Sequence, residues 1–517
     1  MVLVKDDIRE ELFSQFNGYN RRSDRLNTPK GFVFDILNGY IKKDLKSNIG
    51  IVTQRDGIAK LNSVALDSDY GSTKSIRVLF EAKWDGGGTD LIIRAGTAWG
   101  LYNGSDEFDA ILTGRGDDAK GMAFMFKNEV ILLDGGVPQK VTAAYAVSAL
   151  SADGNMPQDS TAGWVHRDKV WLNSQAAPMK AYFCKTNSAN AATSWTGTTD
   201  AGFLDLSTVL PVGDTIIGFR TYGGQDSGLI AIICRNFTAI YKAGANPYDF
   251  TFIQYFPSTC LSMGAAAYIG KDIVYPSRDV LTSLIASINT DNLSLKPLSD
   301  YISPYYRSLV DQVGDPEDMT GYFDKVNNFY YLTFPISNNY QTLIYSVDIG
   351  NFVGRWVYPV NNYSFCQRID GTMLFGSDSY VYIMNSGTSD DGTAISWKLA
   401  LPATYFSAPH RYKKPLEIEL LVQATASLTL YLDYWFGLST LNNDLITKSL
   451  SISASASLWD EALWDVSYWD TQGNNHVRTS DIYGRGRLMF IELRHNTMDA
   501  KISIPWFLIR YLMEGYN

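Results

Sequence analysis

The sequence predicts an all-β protein: a β-propeller of six to seven blades followed by a C-terminal β-sandwich. Three observations carry this expectation. Residues 322–359, YFDKVNNFYYLTFPISNNYQTLIYSVDIGNFVGRWVYP, hold four short apolar or aromatic runs separated by Asn-Asn, Ser-Asn-Asn and Gly-Asn turns. Hairpin patterns of the same kind recur along the chain roughly every 40 to 60 residues, the rhythm of propeller blades with insertions. The composition agrees: 32 Tyr and 25 Phe suit half-buried pleated surfaces, and 42 Gly suit the turns between them.

At 517 residues the chain exceeds one ordinary core, so two or three domains are expected. Hydrophobic residues at 45% and charged residues at 19% place it among globular proteins. The net charge of −10 argues against a protein that grips nucleic acid, though not against DNA passing close by. Cys184, Cys234, Cys260 and Cys366 are far apart and form no CxxC pair, as expected of buried, reduced thiols in a chain made in the cytosol. The opening MVLVKDDIREEL lacks the apolar centre of a signal peptide, and no apolar run approaches the length of a membrane span. A soluble protein is expected.

Taken in order, residues 6–16 read as a helix with Ile8, Leu12 and Phe13 on one face, ending near Asn17-Gly18. A basic arm at residues 20–30 follows, then short strands at 39–43 and 49–54 and a hairpin signal at Asp56-Gly57. The hairpin series begins at Ser75. Strands 76–82 and 90–95 flank Asp85-Gly86-Gly87-Gly88, and 122–126 and 129–133 flank Lys127-Asn128. Strands 163–166 and 169–172 flank Arg167-Asp168, 228–234 and 237–241 flank Arg235-Asn236, and 265–269 and 273–275 flank Gly270-Lys271-Asp272. After 322–359, strands 365–368 and 372–375 flank Asp370-Gly371, and 380–384 adds one more. Strands near 36–56 can complete the last blade and so hide two sheet edges. Beyond Pro402 the runs lengthen, at 416–423, 428–434, 448–454, 488–494 and 501–510, which suits a sandwich. The expected domains are thus 1–56 (helix, arm and closing strands), 57–401 (propeller) and 402–517 (sandwich). Between the sandwich strands, Trp459, Trp464 and Trp469 recur every five residues, a spacing that fits neither a helix face nor a strand face.

No enzyme chemistry is legible, and no metal or cofactor is expected. His166, His410, His476 and His495 show no metal-ligand spacing, and there is no HExxH and no GxSxG. Gly270-Lys271 is not a phosphate loop, because Gly264 stands one residue too far upstream and Asp272 replaces the Ser or Thr. Arg115-Gly116-Asp117 imitates an adhesion tripeptide but reads as a turn. Glycoside cleavage needs two carboxylates across a pocket. Asp117-Asp118, Asp315, Glu317-Asp318 and Asp390-Asp391 all lie in turn contexts, and sequence does not show whether distant ones converge.

Several segments, in their order, resemble the β-propeller hub or nozzle proteins of short-tailed bacteriophages, also called packaged-DNA stabilisation or tail tubular proteins. They are SQFNGYNRRSDRLNTP leading to Asp35 and Asn38, GWVHRDKVWL with the Trp195 segment, GLIAIICRNFTAIYKAG, NNFYYLTFP with LIYSVDIGNFVGRW, and the Trp-rich loop with Gly484-Arg485-Gly486-Arg487. The resemblance implies a structural virion component. Such proteins form a sixfold ring below the portal and adaptor rings, with tail fibres or spikes attached nearby. Their lumen retains packaged double-stranded DNA and guides its ejection without sequence-specific binding. It also implies a place in the virion tail after assembly in the host cytoplasm. Acidic walls would let DNA slide without sticking. On that reading Arg21, Arg22 and Arg25 are candidates for subunit or adaptor contact, the alternative being a solvated linker. Trp459, Trp464 and Trp469 are candidates for a neighbour contact, the alternative being internal packing of their loop. A second function, a glycan-binding or glycan-cleaving propeller for host-receptor recognition, stays open. A WD-repeat scaffold fits poorly, because the Trp-Asp pairs cluster in one loop instead of recurring once per blade.

Overall fold

The structure, a computed structural model, describes residues 8–43, 50–117, 120–197, 200–222, 228–242, 244, 249–286, 293–337, 339–406, 409–437, 445–452, 474–479 and 482–513. The hairpins read from the sequence form as antiparallel pairs. Met122–Phe126 pairs with Glu129–Leu133, and Gly163–His166 pairs with Lys169–Leu172. The second turn shows why: Arg167 and Asp168 both take positive φ, 49° and 57°, the type I′ geometry whose twist matches the flanking strands.

These hairpins extend into seven four-stranded blades, and the fold is a β-propeller. The innermost strands, in ring order, are Ile76–Lys83, Met122–Phe126, Gly163–His166, Ile216–Tyr222, Ala267–Ile269, Thr320–Asp324 and Ser364–Gln367. Apolar clusters fill the space between neighbouring blades. Val78, Ile92 and Trp99 of the first blade meet Ala123, Val130 and Leu132 of the second, and Trp171, Phe183 and Phe219 join the third to the fourth. Each blade alone has two apolar faces, so only a closed ring buries all of them.

The ring closes with a strand from the N-terminal side. Ile58–Lys60 pairs with Val381–Met384 and becomes the outer strand of the seventh blade. Closure was expected from residues 36–56, and this is corrected. Those residues belong to the second unit, because their edges are taken elsewhere. Asp35–Leu37 pairs with Trp397–Ala400 on one side and in parallel with Asn351–Val357 on the other, while Gly39–Lys43 and Gly50–Gln54 join a sheet with Ile502–Met513. The sixth blade therefore runs on without a break into a nine-stranded sheet. Chain approach there is close: a Cβ on Gly354 would sit 2.1 Å from the carbonyl oxygen of Gly39, so only glycine fits.

The second unit is a sandwich of two layers. One layer holds Lys413–Ala424 and Ile502–Met513, and the other holds Leu428–Phe436 and Met489–His495. Ile418, Leu420 and Ile509 face Leu430, Leu432 and Ile491 in a core that continues to Tyr330, Phe352 and Trp356 of the sixth blade. The expected boundaries are corrected accordingly, since Ile8–Phe13, Asp35–Leu37, Gly39–Lys43, Gly50–Gln54 and Trp397–Ala400 pair into the sheets of the sandwich.

The helix expected at 6–16 is also corrected. Ile8–Phe13 is a strand paired with the end of Ile502–Met513. It buries Glu11 and Phe13, with Phe13 against Phe507 at 5.9 Å, and leaves Ile8 and Leu12 exposed. A free edge on a long strand outweighed the local helical pattern. The α-helix of the described residues is Ser303–Gln312, which begins with a proline in its first turn and links the fifth and sixth blades. All four cysteines are buried and unpaired.

The junction between ring and sandwich is sealed by a fully buried ion pair. Arg55 donates from Nη1 to Asp390 Oδ1 at 2.7 Å and from Nη2 to Asp390 Oδ2 at 2.5 Å, with the two side chains 0% and 4% exposed. Removing one partner strands the other charge away from water. Asp390→Ala is therefore expected to cost about 3–5 kcal/mol in denaturant unfolding. A loss under 1 kcal/mol would show that the junction does not depend on the pair.

Candidate functional site: the propeller channel and its closed mouth

The seven inner strands surround a central channel of about 1150 Å³. Their inward edges have no further strand to pair with, so backbone N–H and C=O groups face this space and keep it polar between apolar side chains.

One mouth of the channel is crossed by the connection into the sixth blade. The 3-10 turn Pro316–Asp318 follows Asp315, whose carboxylate accepts from the Glu317 N–H at 3.0 Å. Ser262 Oγ donates to the carbonyls of Glu317 at 3.0 Å and Met319 at 2.6 Å. Three cations then reach the turn from other blades. Lys120, before the second blade, meets Asp315 at 2.6 Å, Asp318 at 3.3 Å and Glu317 at 3.4 Å. Arg77 of the first blade meets Asp318 at 3.3 Å, and Arg235 of the fourth blade pairs with Glu317. A segment that touches the first, second and fourth blades while entering the sixth must lie across the mouth.

The electrostatics follow from these contacts. Burial alone would raise the Asp315 pKa, but the Lys120 ammonium and the Glu317 N–H hold it below the usual carboxylate range. Burial alone would lower the Lys120 pKa, but the three carboxylates raise it. The Asp315 share of the latch is thus present above the ordinary carboxylate pKa of about 4 and is lost as pH falls through the lower folded value. The Lys120 share is present below about 10.4 and is lost as pH rises through the raised value.

Near the opposite mouth, side chains from three blades meet. Trp164 of the third blade and Tyr268 of the fifth stand 5.9 Å apart, centre to centre. Trp164 Nε1 donates to Thr221 Oγ1 at 3.1 Å, and the Tyr268 hydroxyl donates to the Thr221 carbonyl at 2.8 Å. Arg220 of the fourth blade lies over the Trp164 ring at 4.6 Å. The sequence offered no signal for this cluster, whose members lie about 50 residues apart on separate hairpins.

The carboxylates considered from the sequence are now placed. Asp315, Glu317 and Asp318 do converge, but on cations. Asp390 pairs with Arg55 and Asp391 with Lys60. Asp117 accepts from Thr73, and Asp118 lies outside the described residues. A glycosidase acid needs a carboxyl held protonated by a raised pKa. Among the described residues, each carboxyl with a displaced pKa moves down: Asp35, Asp134, Asp153, Asp200, Asp205, Asp315 and Asp370. The Arg115-Gly116-Asp117 tripeptide turns its arginine inward, onto Asp134 at 2.8 and 2.5 Å. No group of three or more potential metal ligands occurs among the described residues, and none of their helices is long and apolar enough to cross a membrane.

The three arginines of the N-terminal arm have different surroundings. Arg25 is folded inward. It donates to the carbonyls of Leu401 at 2.8 Å and Ile491 at 2.6 Å, pairs with Glu492 at 2.8 Å and lies over Trp435 at 4.9 Å. Arg21 lies over Tyr305 at 4.6 Å and Phe34 at 5.0 Å. Of the three, only Arg22 is exposed. Trp459, Trp464 and Trp469 lie outside the described residues. Of the Gly484–Arg487 segment, Arg487 lies over Tyr412 at 5.1 Å.

No family model matches the chain, and no curated protein matches it significantly in sequence. Among solved structures it is similar to the Pan2 WD40 domain of Neurospora crassa, at 10% identity and a TM-score of 0.42, over 64% of this chain and 95% of that one. It is also similar to streptogramin B lyase, at 10% identity and a TM-score of 0.42, over 64% of this chain and 97% of that one.

Two predictions follow from these contacts. Half-exposed pairs contribute about 0.5 kcal/mol each, so Lys120→Ala should raise amide exchange at residues 315–319 by about fivefold to tenfold and leave the blade strands unchanged. Opening at pH 3, corrected for intrinsic exchange, should exceed opening at pH 7. An unaltered rate would mean that the Ser262 bonds hold the turn by themselves. In the arm, Arg25→Ala should lower the stability of the isolated chain by about 2–4 kcal/mol, whereas Arg22→Glu should change it by less than about 0.5 kcal/mol. Equal effects in urea titrations would contradict the inward placement of Arg25.

Proposed function

We propose that the chain is a structural subunit of a bacteriophage tail. Six copies form a hub or nozzle ring below the portal and adaptor rings, and the ring's shared lumen retains packaged DNA and then guides its ejection. The chain would act in the virion tail after assembly in the host cytoplasm, next to tail fibres or spikes. The observation that carries this reading is the nine-stranded sheet that runs from the sixth blade into the sandwich over one continuous core. A subunit that bears the load of a pressurised genome benefits from two units that cannot hinge, and a shared sheet removes the hinge. The order of the sequence segments that resemble phage hub proteins supports the same reading. Electrostatics are compatible: a ring of subunits each carrying −10 repels phosphate, so DNA moves through without adhering. The DNA path would be the lumen between subunits, since each propeller's own channel is crossed at one mouth by the Asp315–Asp318 turn. Of the three candidate arginines, Arg22 is the one available for a neighbour.

The second reading, a glycan-binding propeller, rests on the channel, whose volume and aromatic wall suit a ligand. Cleavage would need two carboxyls across the channel, one of them held protonated.

Negative-stain electron microscopy with light-scattering mass tests the first reading. Sixfold rings with a central hole are expected from the full chain, or from the chain mixed with its adaptor ring, and Arg22→Glu should weaken them. A monomer under both conditions, together with retention on a glycan array, would replace the hub reading with the second.

A further inference from the structure

Three arginines are buried among the described residues: Arg55, Arg94 and Arg220. Arg55 meets Asp390, and Arg94 lies 3.8 Å from Asp134. Arg220 is the exception. It is 7% exposed, and among the described residues no carboxylate stands within ion-pair distance of it. Its Nη1 donates to the Phe219 carbonyl at 2.9 Å and its Nη2 to the Ala266 carbonyl at 3.3 Å, both neutral acceptors. Its remaining partner is the face of Trp164. Burial pulls its pKa below the ordinary value, and only the neutral groups Tyr268 and Cys260 act against this. Arginine keeps its proton in proteins, so a buried positive charge with no counter-charge among the described residues is left on the channel wall.

The position of this charge matters. Arg220 borders the central channel together with Trp164, Ile217 and Met263. The Thr221 bonds hold the aromatic pair in place beside it, so the wall is preorganised. The ion-paired turn lines the same channel through Glu317 and Asp318. At about 1150 Å³ the channel is large enough for a ligand of ordinary size. The other cations on the channel, Arg77, Lys120 and Arg235, are already neutralised by carboxylates.

We propose that the propeller channel binds an organic carboxylate with an apolar or aromatic body, whose carboxylate supplies the counter-charge of Arg220. The planar guanidinium fork matches a carboxylate, and the Trp164 and Met263 side chains accept the apolar body. A single cation, uncompensated among the described residues, suits a monoanion better than a phosphate dianion, which would call for a second. This site is independent of ring assembly and goes beyond the tail-hub reading.

The test is calorimetric titration of the full chain at low salt with sodium benzoate, and in parallel with neutral benzamide and inorganic phosphate. Benzoate is expected to bind with a dissociation constant of about 1 mM, the range a fragment of this size reaches, and the other two at least about tenfold more weakly. Arg220→Lys keeps the charge and removes the planar fork. It should weaken benzoate about tenfold while its melting temperature stays near that of the parent. Trp164→Phe should weaken benzoate by a few fold. Equal binding of benzamide would overturn the proposal, because charge would then play no part. Phosphate binding as tightly as benzoate, absence of benzoate binding, or undiminished binding by a folded Arg220→Lys variant would each overturn it as well. Should Arg220→Lys fail to fold, the benzoate–benzamide contrast on the parent chain and the Trp164→Phe titration decide.

Discussion

Arg55 is fully buried and uses five N–H donors: two on Asp390, one on the Asn38 side chain, and one each on the carbonyls of Asp56 and Val357. Its guanidinium also lies over Tyr358 at 4.4 Å. Those partners come from four places in the chain. Asn38 sits at the start of the sandwich hairpin, Asp56 precedes the closing strand, Val357 ends the sixth blade, and Asp390 follows the seventh. A desolvated guanidinium tolerates no loose geometry, so one side chain sets the mutual position of all four. Asn38, at φ 52°, adds to this. Its oxygen also accepts from the Val357 N–H at 2.8 Å, and its Nδ2 donates to Ser396 at 2.8 Å.

From that junction the architecture follows. The closing strand Ile58–Lys60 leaves Arg55 in register with the seventh blade, and the ring has no free ends. The preceding hairpin goes the other way, into the sandwich, where the last strand Ile502–Met513 receives it. Pairing of Ile8–Phe13 with Ile502–Met513 restricts fraying of both strands, and a sixth blade continuous with the sandwich restricts hinging. Both properties suit a part that carries force. The same ring geometry yields a channel that is crossed at one mouth and lined by Arg220, which meets no carboxylate among the described residues.

How much of this was legible depended on the range of the contacts. Six of the seven inner hairpins were readable because a hairpin is a local object; in the fourth blade the pair read was the second and third strands, and the inner strand Ile216–Tyr222 went unread. Lys127-Asn128, Arg167-Asp168 and Asn327-Asn328 announce turns, and the alternating runs around them announce strands. The buried cysteines and the carboxylates in turns were readable for the same reason. The N-terminal strand was misread as a helix because Ile8, Leu12 and Phe13 share a helical spacing, and nothing within eleven residues reveals that a strand some 500 positions away offers an edge. Arg25 was read as a surface cation from its basic neighbours, yet the Leu401 and Ile491 carbonyls and Glu492 turn it inward.

The sequence alone determined the fold class, the inner hairpins of six of the seven blades and the change of rhythm that marks the second unit, because these depend on period-two patterning and turn residues within a few positions. Only the tertiary structure decided the blade number, the strand that closes the ring, the fusion of the sixth blade with the sandwich, and the meeting of Lys120, Arg77 and Arg235 over one turn. The same holds for Arg220 and its aromatic neighbours. Each of these is a contact between residues far apart in sequence, chosen by which edges and charges are left unpaired once the local hairpins have formed, and no local pattern encodes that choice.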